Sequence, residues 1–497
     1  MTSKTRSAPP HAMAMLESLR GLGYSTAAAL ADIIDNSISA GANEVRVDFV
    51  WSGVNSRISI LDNGRGMSDG ELESAMRLGD RNPLEVRSIN DLGRFGMGLK
   101  TASLSQCRRL TVASSKEEVE SCLRWDLDEL AANPGRGWLL FEGPAHNSES
   151  FIKIPAQQKS GTLVLWEVMD RIVTPGYNSD DFHDLIDNVQ SHLAMVFHRL
   201  LQGPRPKLML FLNGCPIAPW DPFMSGHPAK PWASPTTKHY TEYGVVSVQC
   251  HVLPHQDALS GTEFQTNAGP DGWTAQQGIY VYRNERLLVA GGWLGLGSPR
   301  QWNKEETHRL ARIRLDIPNT ADADWKIDIR KSKARPPVSL RPWLTLLAEN
   351  TRERARRVFA YRGAPTPAKG NEPIEQAWRV DHLKSGIRYR IEETHPSVAA
   401  VLESAKSHAS LIKSMLRVIE ETVPVQRIWL DTAENKETPR TSFEGEPNAA
   451  VVEVAQVLFD DLIGRKGLSV EEARKSMART EPFQKYPALV ATLGINT

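Results

Sequence analysis

Four short polar segments follow one another between residues 32 and 162, and each demands a particular backbone around it. Asp32-Ile-Ile-Asp35-Asn36 sits in a run whose apolar residues (Met15, Leu16, Leu19, Leu22, Ala28, Leu30, Ile33, Ile34, Ile38) recur at helical spacing, interrupted around Gly21 and Gly23, so the spacing predicts one helix over 14–40. Asp62-Asn63-Gly64-Arg65-Gly66-Met67 ends an apolar strand, Arg57–Leu61, and Gly93, Gly96 and Gly98 lead into a short helix carrying Lys100 and Thr101. Ser160-Gly161-Thr162 enters a buried-type strand. Further strands are predicted at Val45–Val50, Arg109–Ser114, Ser121–Asp126 and Thr162–Trp166, and a helix at Asp69–Leu78. Helix, strand, glycine loop and strand in this order constrain the chain to an α+β fold, with helices layered on a mixed sheet.

Each segment has a chemistry and a bland alternative. Asp32 and Asn36, four apart, share a helix face. An amide oxygen there suits Mg²⁺, and a carboxylate suits orienting and deprotonating a water; the same pattern is also simply a polar stripe. Asp35 points partly away. Asp62 at a strand end can accept from an adenine amino group, with Gly64 and Gly66 allowing close approach, although Asp-Asn-Gly is also a common turn. The amides that open a helix after Gly93, Gly96 and Gly98 can bind phosphate oxygens, with Lys100 adding charge. No strand runs directly into these glycines, and the four-residue gap of a P-loop is absent.

Taken together, order and spacing resemble the GHKL superfamily of gyrase, the ninety-kilodalton heat-shock chaperone, histidine kinases, MutL and MORC proteins. The resemblance covers roughly residues 14–170. It implies ATP and Mg²⁺ as ligands, Asp32 as general base, Asn36 as the magnesium ligand, and a nucleotide pocket containing Asp62, Gly64, Gly66, Met67, Gly93, Gly96, Gly98, Lys100, Thr101 and Thr162. The lid string Gly93-Arg-Phe-Gly-Met-Gly-Leu-Lys100-Thr-Ala-Ser is similar to that of MORC proteins, and more narrowly of bacterial stand-alone MORC-like ATPases. Leu212-Asn-Gly and Gly278-Ile-Tyr-Val-Tyr-Arg283-Asn284-Glu-Arg286-Leu extend the likeness to about residue 362. The implied architecture is a Bergerat-type ATP-binding sandwich over 1–200, a ribosomal-protein-like α/β transducer over 201–362, and a mainly helical C-terminal region over 363–497. In such proteins the transducer supplies a lysine to the terminal phosphate; Lys331 in Asp328-Ile-Arg330-Lys331-Ser332 fits, with Lys333 and Arg330 as alternatives. MutL and MORC proteins usually carry Glu where this chain has Asp32, which implies slow turnover or a compensating backbone.

The second unit reads as strands at Lys207–Leu212, Gly278–Arg283, Ala311–Ile317 and Trp325–Ile329, an irregular Pro/Trp-rich stretch at 215–240, and an arginine-dense helix over 338–362. Residues 363–374 read as a linker, and 396–422 and 446–497 as helical. Lys+Arg and Asp+Glu both number 59, so global charge selects no partner, but residues 281–360 hold 17 basic against nine acidic residues. Arg352, Arg354, Arg356 and Arg357 cluster there and suit a phosphate backbone, or a solvated helix face. The resemblance implies an ATP-gated homodimeric clamp on DNA, with protein partners in restriction or anti-phage defence. A lid from Ser68 to Gly98 is expected to be mobile until nucleotide orders it. The rival readings are a nucleotide-switched scaffold or a chaperone-like protein without DNA binding. A histidine kinase lacks its phospho-accepting helix, since only His11 precedes Asp32. Neither a topoisomerase tyrosine module nor a MutL-type nuclease metal set is evident, Asp381-His382 being insufficient.

No CxxC pair joins the four cysteines, so buried, reduced thiols are expected. No secretory signal pattern or membrane-length apolar run occurs, and a cytoplasmic location is expected.

Overall fold

The computed structural model describes residues 10–21, 23–79, 98–133, 137–154, 158–242, 244–321, 324–328, 331, 334–360, 375–383, 386–425, 428, 447 and 449–495. The chain divides into two compact units, Met1–Ala360 and Tyr361–Thr497.

The first unit opens with α1 (Ala12–Arg20) and α2 (Thr26–Ser39). The single helix expected over 14–40 is therefore two. Gly23 is left-handed (φ +72°), and the Ser25 hydroxyl accepts from the Ala28 N–H, capping α2 afresh. The break puts Tyr24, buried, beside the start of α2.

An eight-stranded mixed sheet lies under α2. Its strands are β1 (Glu44–Val50), β2 (Arg57–Asp62), β3 (Arg109–Lys116), β4 (Val119–Asp126), β5 (Phe141–Glu142), β6 (Gly161–Glu167), β7 (Met209–Leu212) and β8 (Cys215–Pro216), ordered β5-β4-β3-β6-β2-β1-β7-β8. The strand expected at Lys207–Leu212 thus belongs to this sheet, where it pairs parallel with β1. Strand β1 alternates buried Val45, Val47 and Phe49 with exposed Arg46 and Asp48, the mark of a strand with one wet face. Central β6 is buried along nearly its whole length. Leu30, Ile33 and Ile34 of α2 pack in the same core as Val45, Val47, Ile58, Ile60 and Val164.

Two shorter helices flank the pocket side. Ser68 and Glu71 form a capping box for α3 (Asp69–Met76), held by buried Leu72 and Met76. The Trp125 indole N–H donates to the Met76 carbonyl at 3.0 Å. The first part of the expected lid is therefore helical and anchored. Helix α4 runs Gly98–Leu104. Gly93 and Gly96, with the rest of the lid over 80–97, lie outside the described residues.

The second sheet of this unit comprises β9 (Trp232–Ala233), β10 (Thr237–Thr241), β11 (Gly244–Val252), β12 (Gly278–Arg283), β13 (Arg286–Val289) and β14 (Ala311–Asp316). The main order is β10-β11-β14-β12-β13, with β9 paired to β11. Asn284 and Glu285, both left-handed (φ 49° and 67°), make the two-residue turn between β12 and β13, a geometry that suits strand twist. Among the described residues of Trp325–Ile329 no strand forms: residues 324–326 make a turn, and left-handed Lys326 (φ 48°) is incompatible with an extended run. Trp325, 1% exposed, pins the segment to the core.

The arginine-dense helix spans Arg341–Ala360, and its arginines do not form one surface. Arg352 is buried, stacked on Trp293 and Trp302 at 4.7 and 4.6 Å from the ring centroids. Arg357 pairs with Glu353 at 3.1 Å, and Arg354 lies over the Trp232 ring at 4.1 Å. Of the four, Arg352 is structural.

The second unit contains an antiparallel hairpin, Trp378–Leu383 with Gly386–Ile391, which the sequence did not signal. Helices Pro396–Ser404 and Ala409–Glu421 occupy the first helical stretch; Ala449–Gly464, Val470–Met477 and Pro487–Thr492 occupy the second. Its core gathers Leu458, Phe459, Leu462, Met477 and Phe483. Among the described residues no helix is long and apolar enough to cross a membrane. All four cysteines are free; Cys107 and Cys250 are buried as expected, whereas Cys215 is exposed.

Candidate active site

Register builds one end of the site. Asp62 of β2 stands opposite Thr162 of β6, and Thr162 stands opposite Ser114 of β3. Cross-strand partners share a sheet face, so three polar side chains form one row. The Ser114 hydroxyl donates to the Gly161 carbonyl and lies 3.0 Å from the Thr162 hydroxyl. It also accepts from the Met67 N–H at 2.9 Å, which fixes the loop after β2.

The Asp62 carboxylate is buried and oriented on both oxygens. The Ser37 hydroxyl of α2 donates to Oδ2 at 2.7 Å, and the Gly64 N–H donates to Oδ1 at 2.9 Å. Burial pushes this carboxyl above its ordinary range, against hydrogen bonds from Ser37, Gly64 and Thr162. Each carboxylate oxygen has two lone pairs, so acceptor capacity remains for a ligand donor. A Cβ at Gly64 would stand 2.9 Å from the Ala40 Cβ. One at Gly66 (φ +65°) would stand 1.8 Å from the Ser115 carbonyl oxygen. These glycines are required first by the packing of the loop against α2 and β3.

The other end of the site joins the two sheets of the first unit. Asp32 and Asp35, on successive turns of α2, are 5% and 1% exposed. The Tyr24 hydroxyl donates to Asp32 Oδ2 at 3.0 Å, and Thr101 of α4 hydrogen-bonds to Tyr24. Burial, with Asp32 adding, raises the Tyr24 hydroxyl well above its usual range, so it stays a proton donor. Asp32 Oδ1 is buried without a hydrogen-bond partner among the described residues, although the Lys331 ammonium lies 3.1 Å away. Lys331 also donates to Asp35 Oδ2. Arg286, the first residue of β13, brings its Nε to 3.1 Å from both Asp35 oxygens and its Nη2 to 3.8 Å from Asp32 Oδ1. Burial alone would raise the Asp35 carboxyl; Arg286 and Lys331 hold it below its ordinary range.

The sequence-derived residues distribute as follows. Asp32, Asn36, Lys331 and Thr101 gather at this end; Asp62, Gly64, Gly66, Met67 and Thr162 gather along the row. The Asn36 Nδ2 is buried with no hydrogen-bond partner among the described residues. Gly98 opens α4. Lys100 is 2% exposed and donates to the Arg77 carbonyl at 2.7 Å, at the end of α3. Arg330 and Lys333, the alternatives to Lys331, lie outside the described residues, as do Gly93 and Gly96. Tyr24, Ser37, Ser114 and Arg286 were missed as site residues, and Asp35 was read as pointing partly away. Only Arg286 left a signal, a cation within an otherwise apolar strand.

Residues 24–162 match the family model of the histidine kinase-, DNA gyrase B- and HSP90-like ATPases. The match begins at Tyr24 and ends at Thr162, both in the site. The DNA mismatch repair protein MutL of Rhodospirillum rubrum is 30% identical over 177 residues, 35% of this chain and 24% of that protein. MutL of Haemophilus influenzae strain PittEE is 37% identical over 98 residues, 18% of this chain and 15% of that protein. MutL of Colwellia psychrerythraea is 34% identical over 95 residues, 18% and 14% respectively. The chain thus spans a quarter or less of the length of these relatives. With the α+β sandwich around them, these matches give residues 24–162 the likeness of the GHKL superfamily of ATPases.

Proposed function

We propose that this chain binds MgATP against the Asp62–Thr162 row and α2 and hydrolyses it slowly, with Asp32 as general base. The observation that carries the reading is the meeting of Asp32 Oδ1 with the Lys331 ammonium at 3.1 Å, a base from helix α2 and a cation from the segment that follows β14 of the second sheet. Asp62 accepts from the adenine amino group, with Met67 and Thr162 beside it. Asn36 supplies the magnesium ligand: its amide oxygen is a neutral donor of the kind a hard cation takes. Magnesium, when bound, neutralises phosphate charge. Tyr24 holds Asp32 by one oxygen, leaving Oδ1 to take the proton from water. Lys331 contributes charge at the terminal phosphate. Gly98, Lys100 and the lid glycines Gly93 and Gly96 serve the phosphates. The test is turnover against binding: Asp32→Ala should retain ATP and lose hydrolysis, and equal turnover in both proteins would overturn the assignment.

We further read the chain as a cytoplasmic, bacterial MORC-like clamp that dimerises on ATP and acts on DNA, with partners in restriction or anti-phage defence. A groove of about 580 Å³ in the second sheet's flank supports the DNA contact. Lys230, Arg354 and Arg357 line it together with Trp232 and Glu353, the last paired with Arg357, so the lining keeps a positive excess and one aromatic face. Light scattering with a non-hydrolysable analogue tests the dimer. Salt-dependent DNA binding, weakened in Lys230→Ala/Arg354→Ala, tests the groove. An unchanged mass at full occupancy leaves a monomeric ATPase, and absence of DNA binding leaves the switched scaffold.

A further inference from the structure

We propose that Asp35 and Arg286 are positioning residues for catalysis, a buried pair that fixes the Lys331 ammonium beside Asp32. The proposal rests on the ATPase reading above and names what holds its two reacting groups together.

The argument starts from charge. Two carboxylates one helical turn apart, both nearly inaccessible, repel each other and each requires a counter-charge. Two cations answer them, and they differ in kind. Arg286 is locked: its Nε faces both Asp35 oxygens at 3.1 Å, its Nη1 donates to the Leu287 carbonyl at 2.6 Å, and its side chain lies over the Phe197 ring. A planar guanidinium anchored on three sides has one orientation. Lys331 is a point charge on a flexible stem, in a left-handed residue (φ +53°), and its ammonium takes its place from the carboxylates it meets. Asp35 is the fixed member of that encounter, because Arg286 fixes it.

Geometry then separates the roles of the carboxylates. Asp35 spends its oxygens on Arg286 and Lys331. Asp32 gives Oδ2 to Tyr24, and its Oδ1, without a hydrogen bond among the described residues, lies 3.1 Å from the ammonium. One carboxylate organises and the other stays available. Asp35 and Arg286 act through Lys331 and Asp32, the groups they contact. Holding a base and a cation in one geometry before the substrate arrives is where positioning groups gain rate.

The experiment uses the full chain. Calorimetry measures the affinities for MgADP and for a non-hydrolysable MgATP analogue in the parent, Lys331→Ala, Asp35→Asn and Arg286→Lys, alongside steady-state kcat and KM and thermal unfolding. The parent should prefer the analogue. Asp35→Asn should lose that preference and kcat together, on the order of 10-fold, as expected for a misdirected charge-assisted contact, with ADP affinity unchanged. Arg286→Lys, which keeps the charge balance, should fall between the two and carries the test where Asp35→Asn fails to fold. A merely structural pair would lower the unfolding temperature without moving the analogue-to-ADP ratio, and that result would overturn the proposal. Parental preference in Lys331→Ala would instead remove the phosphate role of Lys331. Absence of both turnover and preference in the parent would remove the ATPase reading itself.

Discussion

The two ends of the site are built at different ranges along the chain. At the Asp62 end, the hydrogen-bond partners of the carboxylate are two and 25 residues away, and Thr162 arrives by strand register. At the Asp35 end, the partners are 251 and 296 residues away and come from another sheet and its following loop. The first end is a property of one sheet and its covering helix. The second exists only when the two sheets of the first unit are docked. An interaction of the second kind can report on docking, whereas one of the first kind cannot.

The largest expected effect breaks the comparison at the chemistry. Asp32→Ala should lose hydrolysis by ~100-fold or more, the span of a general base, while ATP affinity stays near parental because the Asp62 end is intact. Single-turnover assays with calorimetry check this. Next, Asp62→Asn should weaken both ATP and ADP by about 10- to 100-fold, the worth of a hydrogen bond to a charged acceptor. Both nucleotides share the base, so the loss should be equal; a loss confined to ATP would show that the two ends are not independent.

Stability sharpens the contrast. Arg286→Met strands buried Asp35 and should cost about 3–5 kcal/mol in the first unit, as for a broken buried ion pair. Ser37→Ala removes one hydrogen bond to Asp62 and should cost about 1 kcal/mol. Urea unfolding of each variant measures the difference, and equal costs would erase the distinction.

The smallest effect is in pH, where the two carboxyls move in opposite directions from an ordinary 3.8. The Asp35 carboxyl is depressed, so the unfolded chain binds the extra proton. Its contribution is present above the ordinary value and is lost as pH falls through the depressed one. The Asp62 carboxyl is raised, so the folded chain binds the extra proton, and its contribution fades as pH rises through the raised value. The stability deficit of Asp35→Asn should therefore grow with pH in the acid range. That of Asp62→Asn should shrink as pH climbs above 3.8. Unfolding temperatures across an acid pH series check both slopes.

The same division governs what could be read from residues alone. The strands Val45–Val50 and Arg57–Leu61, the helix through Asp32 and Asn36, and Asp62 with its glycines are short-range patterns of period and turn. The strands reappear with ends shifted by one residue at most, and the helix keeps its C-terminal end within one residue while its start moves to Thr26. The break before α2 was blurred because Leu22 continues the apolar face, although Ser25 is the residue that restarts the helix. Asp35 was set aside because adjacent helical residues diverge, yet the direction away from Asn36 is where Arg286 arrives. No spacing rule foresees a partner 251 residues downstream. Lys331 came only through family likeness, and the arginine cluster misled because Arg352 turns inward onto two tryptophans, which charge counting cannot detect.

Strand β7 has a consequence for how this protein is made. It pairs parallel with β1 at Glu44–Val47, and Asn213 ties the junction, its N–H donating to the Val47 carbonyl and its Oδ1 accepting from Phe49. A parallel neighbour cannot be supplied by a tight turn, so the chain travels through helix Ser179–Val196 before returning. The ribosome therefore releases β1 with one edge uncovered and keeps it so from Val50 until Met209 emerges, far longer than the roughly dozen residues a crossover needs. An expression fragment cut at residue 200 would carry that bare edge permanently, a template for strand-to-strand association between molecules. A fragment cut after Ile217, which is buried in the same core, would not.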